Sequence, residues 1–460
     1  MPLDAEICYR AVRTRDTRFD GRFFTAIAST GIYCRPICPA TPAKRENMRF
    51  YPSAAAAQEA GFRPCLRCRP EVSPDLPAGN GTSVTVTRAL RLIGEGALDE
   101  APVEVLAERL GIGERHLRRL FDEQLGASPV AVASTRRFLF AKRLLTETSL
   151  PIGEIAFAAG FASVRRFNDV MRAAYGRAPR ELRSAAGART PGIELTLAYR
   201  PPYHWAAMMH FLAARAIPGV ETVTPECYRR TLPAGYVEVR PDRRSHHLIA
   251  RFQLTGIRDL AQLAAKLRRF FDTGAAIREI EAHLSTDPKL RPIVEAQPGL
   301  RVPGAWDGFE LTVRAILGQQ VSVKGATTLA GRLVAKYGTE TEHGRLFPAP
   351  EDLVEADMET IGLPRARAAA VRSVAAAFAT ARPPESVEEL RALPGIGDWT
   401  AQYVAMRALN EPDAFPAGDL VLVRSAGKDV ARQAEAWRPW RAYAAMHLWF
   451  SQSAERGTEL

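Results

Sequence analysis

The chain has 460 residues, enough for about three domains of ordinary size. With 47% hydrophobic and 25% charged residues it has a globular composition, which excludes a disordered or fibrous chain. Lysines and arginines outnumber aspartates and glutamates by 62 to 51, and the resulting charge of +11 favours polyanionic partners without identifying one.

The amino terminus, MPLDAEICYR, has neither a basic segment nor an apolar one, so no secretory signal is expected. No run of about 18 apolar residues suggests a membrane span. A reducing, cytoplasmic setting follows, in which six cysteines need a use other than disulfides.

Residues 1–75 are rich in cysteine and arginine, and SPDLPAGNG (73–81) reads as a linker. From about 84 to 184 the apolar spacing is helical, with breaks at Gly94, Gly111, Pro129, Pro151 and Gly160. A second linker, GARTPG (187–192), precedes alternating, strand-like segments at 193–200, 234–242 and 246–254. Residues 206–215 and 258–271 read as helices. From about 303 onward the pattern is helical and alanine-rich.

Four cysteines stand in two close pairs, Cys34 and Cys38 in GIYCRPICPA and Cys65 and Cys68 in FRPCLRCRP. Such pairs let four thiolates converge on one borderline-soft ion, which suits a single Zn2+. Spacing alone favours a closed structural zinc ribbon, since four-cysteine sites are usually structural. The flanks STGIYCRPICPA, KRENMRFY (44–51) and AGFRPCLRC resemble the amino-terminal domain of the Ada adaptive-response family over nearly all of residues 1–72. That resemblance implies that Cys34, the first of the quartet, takes a methyl group from a methylated DNA phosphate. Cys8 and Cys227 lack partners at ligand spacing and read as packed or free thiols.

The segments 102–126 and 151–176 each pair two short helical patterns about a glycine, and a basic stretch, RRFLFAKRLL (136–145), joins them. Each second helix offers polar residues to a major groove: Arg115, His116 and Arg119 in one, Arg165, Arg166 and Asn168 in the other. One such pattern is often a plain helical hairpin. Two joined in this way resemble the AraC-type activator domain, which implies promoter DNA and RNA polymerase as partners.

LPGIGDWTAQYVAMRAL (393–409) has the glycines, Gly395 and Gly397, of a hairpin whose backbone N–H groups can approach a DNA phosphate. FPAGDL (415–420) places Asp419 in a glycine-bearing loop, where an aspartate is most often a helix N-cap. Its position after the hairpin resembles the catalytic loop of the helix-hairpin-helix glycosylase superfamily. Within it, the 3-methyladenine DNA glycosylase II family is resembled through residues 193–455. LAYRPPYHWAAMMHFLAARAIPGVE, VRAILGQQVSV and WRPWRAYAAMHLWF carry the likeness.

The glycosylase resemblance implies Asp419 as the catalytic carboxylate and Phe211, Trp399, Tyr403 and Trp449 as the substrate pocket. The alternative is that these aromatics are core, a reading of equal weight for Tyr403 alone. It further implies Gln319 and Gln320 in the loop that fills the gap left by a flipped base, and a monovalent cation at the hairpin. Strand-cutting relatives carry a lysine where Trp399 stands, so an intact abasic strand is the expected product. No Pro-Cys-His tripeptide occurs, so repair of O6-methylguanine is not expected.

The expected fold is multidomain and mainly α. A small α+β zinc domain (1–75) is followed by an all-α double helix-turn-helix (84–185). Next come an α+β, TBP-like glycosylase domain (193–302) and an all-α helix-hairpin-helix domain (303–455). A monomer acting on double-stranded DNA, without membrane attachment, is expected.

Overall fold

The computed structural model describes residues 4–76, 83–99, 101–183, 193–380 and 382–456, with side chains only to Ser451 in the last segment. The second expected linker (187–192) and most of the first lie outside these residues. The chain condenses into two units. One holds residues 1–201, 242–268 and 273–275, the other 202–241, 269–272 and 276–460. No described helix is long and apolar enough to cross a membrane.

In the first unit a four-stranded sheet is built from β1 (Phe24–Ile27), β2 (Ile32–Cys34), β3 (Met48–Tyr51) and β4 (Arg63–Pro64), in the order β3-β1-β2-β4. Strand β1 is antiparallel to β2 and β3, whereas β2 and β4 run parallel. Alternation sorts the two faces. Phe23 and Met48 pack against the helix Ala5–Thr14 on one side, and Phe24, Ala26 and Tyr33 pack against the helix Ala54–Glu59 on the other.

Two helix pairs follow: Val103–Arg109 with Glu114–Leu125, and Ile152–Ala158 with Val164–Tyr175. Ala107 and Ala156 are buried at the crossings, where small side chains allow close approach. Ser163 caps the last of these helices through the Arg166 N–H at 3.2 Å. Gly111 and Gly160 adopt φ of +72° and +80°, a left-handed turn that glycine enters without a Cβ penalty.

The long helix Pro129–Glu147 joins the two pairs, and its basic residues are turned inward. Lys142 and Arg143 are each only 2% exposed. Lys142 ion-pairs with Glu71 and donates to the Cys65 carbonyl at 3.3 Å. Arg143 bonds Glu147 at 2.8 Å, and Arg69 joins Glu147 (2.5 Å) to Glu71 (3.2 Å). Arg136 donates to the Leu90 carbonyl and Arg137 to Asp99. The positive stretch read in the sequence therefore neutralises buried carboxylates of its own chain. Ala55 and Ala56 share one core cluster with Leu117, Phe121 and Leu125, so the cysteine-rich region and the first helix pair fold around common apolar contacts.

Five further strands are β5 (Ile193–Ala198), β6 (Glu221–Val223), β7 (Tyr228–Leu232), β8 (Gly235–Pro241) and β9 (His247–Leu254). In the first unit β5 is antiparallel to β9, with Leu195 opposite Ala250. Arg143 also donates to the Thr196 carbonyl at 2.5 Å, which ties β5 to the linker helix. The single α+β domain expected over 193–302 is thus divided between the two units.

In the second unit β7 lies between β6 and β8, antiparallel to both. Strands β6 and β7, and the helices Ile277–Leu284 and Arg291–Ala296, were not anticipated in the sequence. Strand β7 is hidden because Arg230 and Thr231 occupy buried positions, and Arg230 is balanced by Glu221 and Glu310. Polar letters at core positions erase the period-two signal. The rest of the second unit is helical, and its hydrophobic centre includes Ile316, Leu333, Val371, Val404 and Met446.

Candidate methyl-acceptor and excision sites

Strand pairing brings the cysteine pairs together. Cys34 ends β2 and Cys65 follows β4, and these strands are parallel neighbours linked by the Cys65 N–H to the Tyr33 carbonyl at 2.9 Å. Each chain then turns, with Cys38 N–H bonded to the Arg35 carbonyl, and returns a second sulfur. The four Sγ atoms lie within 4.8 Å of one another. A zinc tetrathiolate with bonds of about 2.3 Å needs sulfurs roughly 3.8 Å apart, so the cluster fits Zn2+.

The four sulfurs are not equivalent. Cys65 and Cys68 are buried, and each accepts a backbone N–H at 3.3 Å, from Arg67 and Arg35 respectively. Cys34 and Cys38 are partly exposed. Sulfurs packed this closely compete for protons. Bonds to Cys38, Cys65 and Cys68 push the Cys34 thiol up, and the bond to Cys34 draws Cys38 down to about 7. Arg35 is buried against Asp20 and also donates to the Cys68 carbonyl at 3.2 Å, which fixes the turn between the first two cysteines.

Arg115, His116 and Arg119 are exposed on one second helix, and Arg165 and Arg166 on the other, with Asn168 half-buried. Arg119 is engaged with Glu123 at 2.9 Å and lies 3.1 Å from His116 Nδ1. Five of the six are thus accessible to a ligand, and Asn168 less so.

In the second unit the helix Val387–Arg391 leads through a tight turn into the helix Asp398–Arg407. Gly395 has a φ of +81°, and a Cβ there would come within 2.4 Å of the Ala370 Cβ. Both facts require glycine. Gly397 caps the second helix and faces open space, leaving its N–H end accessible to an anion. Gln319 donates to the Gly395 carbonyl (3.2 Å), which braces the loop after the helix Gly308–Leu317 against the hairpin. Gln320 is exposed, with a φ of +58°.

Asp419 is both an N-cap and the centre of a polar convergence. Its Oδ1 caps the helix Leu420–Ala426 through the N–H groups of Val421 (2.9 Å) and Leu422 (3.1 Å), and accepts Trp449 Nε1 at 3.0 Å. Its Oδ2 accepts Trp399 Nε1 at 3.0 Å. The cap reading and the catalytic reading therefore describe one arrangement: helix N–H groups and two indoles aim a single carboxylate. Phe415 holds the loop, donating its N–H to Gln402 and packing edge-on against buried Trp437.

A cavity of about 1050 Å³ opens beside Asp419. Trp399, Tyr403 and Trp449 line it, and no lysine does among the described residues. Trp399 stacks on Tyr403 at 5.1 Å and 8°.

Phe211 departs from expectation. It is fully buried and absent from the lining, because Arg215 and Arg407 lie over its ring at 3.8 and 4.8 Å. These arginines and Arg314 line the cavity in its place, and the sequence reading missed all three. Their only sequence signal was a basic residue at helical spacing from an aromatic, as in Tyr403 and Arg407, which is too common to single out. Burial pushes the Arg215 guanidinium down to about 10. Burial pushes the Tyr403 phenol up, but the guanidinium groups of Arg407 and Arg215 outweigh it and hold the phenol below its usual value. Arg407 donates to that hydroxyl at 2.5 Å.

Comparison with known proteins covers the same segments. Residues 7–71 match the metal binding domain of Ada, and 106–185 a helix-turn-helix domain. Residues 194–307 match the AlkA N-terminal domain, and 313–435 the HhH-GPD superfamily of base excision DNA repair proteins. A Mycobacterium tuberculosis protein described as "Probable bifunctional transcriptional activator/DNA repair enzyme AlkA" is 43% identical over 97% of this chain and 96% of its own. Escherichia coli DNA-3-methyladenine glycosylase 2 is 36% identical over 56% of this chain and 97% of its own. The solved 3-methyladenine DNA-glycosylase from Archaeoglobus fulgidus shares the fold, with a TM-score of 0.50 over 58% of this chain and all of that one at 22% identity. With a full-length relative at this identity, the chain belongs to the family of bifunctional transcriptional activator/DNA repair enzymes of the AlkA type.

Proposed function

We propose that the chain performs two chemistries on alkylated DNA, one catalytic and one spent in a single turnover. The catalytic one is excision of alkylated purines such as 3-methyladenine and 7-methylguanine. The observation that carries it is Asp419, aimed by Trp399 and Trp449 at the edge of an aromatic cavity beside the hairpin. As the glycosidic bond lengthens, positive charge develops on the sugar, and the fixed carboxylate stabilises it. Oδ1 is committed to three donors, while Oδ2 accepts one bond and keeps a lone pair for the sugar cation or an incoming water. Trp399, Tyr403 and Trp449 offer faces to a flipped, cationic base, whose charge already makes it a good leaving group. With no lysine in the cavity, water takes the sugar and the strand stays whole.

In the second chemistry Cys34, Cys38, Cys65 and Cys68 hold one zinc ion, which keeps sulfur as thiolate at neutral pH. The Cys34 sulfur attacks the methyl carbon of a methylated phosphate. The carbon–oxygen bond breaks, a thioether forms and the phosphate regains its charge. Cys34 ends β2, is partly exposed and, unlike Cys65 and Cys68, accepts no backbone N–H among the described residues. Methylation lowers the site from two net negative charges to one, which strengthens DNA binding by the helix-turn-helix pair and turns on transcription. Arg115, His116, Arg119, Arg165, Arg166 and Asn168 meet the promoter, and RNA polymerase is the partner. The chain works as a cytoplasmic monomer, and the carbonyl groups of the hairpin hold a monovalent cation.

The deciding experiment is incubation with methylated duplex DNA. Free 3-methyladenine and 7-methylguanine should appear while the strand stays unbroken until heat or alkali is applied. Borohydride should trap no covalent complex. Strand scission with trapping would refute hydrolytic excision. Absence of base release would favour the remaining reading, a methylation-sensing regulator with an idle glycosylase fold.

A further inference from the structure

The cavity beside Asp419 is lined by Arg215, Arg314 and Arg407, although the alkylated purine it receives under the excision reading is itself cationic. Arg314 is balanced, with Glu310 at 2.9 Å and Glu221 at 3.4 Å. Those two carboxylates also hold Arg230. Four guanidiniums thus share two carboxylates, and Arg215 and Arg407 have no carboxylate partner among the described residues. Arg407 is 6% exposed and donates to the Pro303 and Gly304 carbonyls and to the Tyr403 hydroxyl. Arg215 donates to the Phe211 carbonyl at 3.2 Å. Arg424 lines the cavity too, but it is exposed, where water and salt screen its charge.

Carboxylate and guanidiniums stand at the two ends of one aromatic wall. Asp419 accepts the indole N–H of Trp399, Trp399 stacks on Tyr403, and Arg407 bonds the Tyr403 hydroxyl. Arg215 and Arg407 both lie over the Phe211 ring, at 3.8 and 4.8 Å. A wall built only to hold a cation would end in carboxylates or in nothing charged. Fixed positive charge at one end raises the energy of a bound cationic base and ceases to oppose it once the base is neutral.

We infer that Arg215 and Arg407 set the base end of an electric field, with Asp419 at the sugar end, that drives the electron pair of the glycosidic bond onto the departing purine. This rests on the excision reading above and deepens it. When the bond between the sugar carbon and the purine nitrogen breaks, both electrons leave on the base. A purinium becomes a neutral purine, and the sugar becomes the cation. Water then bonds to that carbon and gives up a proton to solvent. One positive charge has moved from the guanidinium end of the wall to the carboxylate end, which lowers the transition state relative to the bound substrate. The aromatic faces hold the base, and the charged ends act on the bond that ties it to the sugar.

The test uses the full chain with Arg215→Gln, which keeps a donor and removes the charge, and Arg215→Lys, which keeps the charge. Arg215 suits it because it is only half-buried, whereas Arg407 is fixed by three bonds. One readout is single-turnover release of 7-methylguanine at saturating protein. The other is affinity for two duplexes with an uncleavable 2′-fluoro sugar, one carrying cationic 7-methylguanine and the other neutral 7-deazaguanine. Arg215→Gln should release base about tenfold more slowly, the size expected of a charge acting at a distance through an effective dielectric of about 20. It should bind the cationic duplex severalfold more tightly and the neutral one as before. A rate that falls while binding tightens marks the loss of ground-state strain, which a merely structural role would not produce. Arg215→Lys should regain most of the rate and the wild-type affinities.

Slower release without tighter binding of the cationic duplex would overturn the field, since it would mean damage to the cavity wall. So would Arg215→Lys failing as badly as Arg215→Gln. A wild type that releases no base would sink the excision reading and the field with it. A wild type that releases base alongside an Arg215→Gln of normal rate would sink the field alone.

Discussion

The quartet of sulfurs and the carboxylate of Asp419 meet the same difficulty, an anion placed against a polyanion, and resolve it in different ways. At the quartet, two sulfurs are buried and hydrogen-bonded, two are partly exposed, and Cys34 is the one proposed to react. In the proposed reaction it makes a stable carbon–sulfur bond, so the site would be spent and its change of charge would become the signal. Asp419 forms no bond. Two indoles and two backbone N–H groups hold it, and in the proposed mechanism it acts through its field and is unchanged after each turnover. On this reading a bonded anion makes a recorder, and an unbonded one makes a catalyst.

The sharpest break of this comparison is Asp419→Asn, which keeps the shape and the cap and removes the charge. Single-turnover excision should fall by about two to four orders of magnitude, the scale of one lost transition-state electrostatic contact. Affinity for abasic-analogue DNA should hold, because the charge matters only as the sugar becomes cationic. Near-normal excision would show that the carboxylate only caps its helix.

Trp449→Phe keeps an aromatic face and deletes one donor to Oδ1. If the indoles aim the carboxylate, excision should slow by roughly ten- to a hundredfold with little change in binding. A rise in KM alone would mean that Trp449 only stacks.

The two regions can also be separated with acid. His447, two residues before Trp449, is buried with neither ring nitrogen hydrogen-bonded, and burial pushes its imidazole down to about 4, with His204 adding to the effect. The unfolded chain takes up that proton near the ordinary histidine value of about 6.5 and the folded chain does not, so stability falls as pH drops from about 6.5 to about 4. The loss at pH 5 should be about 2 kcal/mol, read by urea unfolding, and His447→Gln should flatten it. An unchanged slope in the variant would place the acid sensitivity elsewhere.

The smallest effect is the switch. One added mass of about 14 Da should map to Cys34, and promoter affinity should rise by roughly tenfold at low salt, with the gain shrinking as salt screens it. Methyl found only on another cysteine, or a gain indifferent to salt, would undo the charge account.

Much of this molecule is legible in its sequence. The quartet is local in two short segments, and the hairpin glycines and Asp419 sit in compact motifs, so residue type and spacing suffice to find them. Strands β5, β8 and β9 alternate and can be read, and Gly111 and Gly160 mark real turns. Tertiary structure decided what depends on pairing between distant residues. Strand β7 is invisible because Arg230 is made buriable only by Glu221 and Glu310, the latter eighty residues away. The basic stretch within the helix Pro129–Glu147 shows no partner in its sequence pattern for Lys142, which the fold pairs with Glu71, while Arg143 pairs with Glu147 of the same helix. Phe211 lost its place in the cavity to Arg215 and Arg407, which cover it. Trp399 and Trp449 gained a hydrogen-bonding role that their aromatic character does not announce. A sequence states which charges and rings exist, but a side chain's partner is fixed by distance in the folded chain, and burial makes that partner decisive.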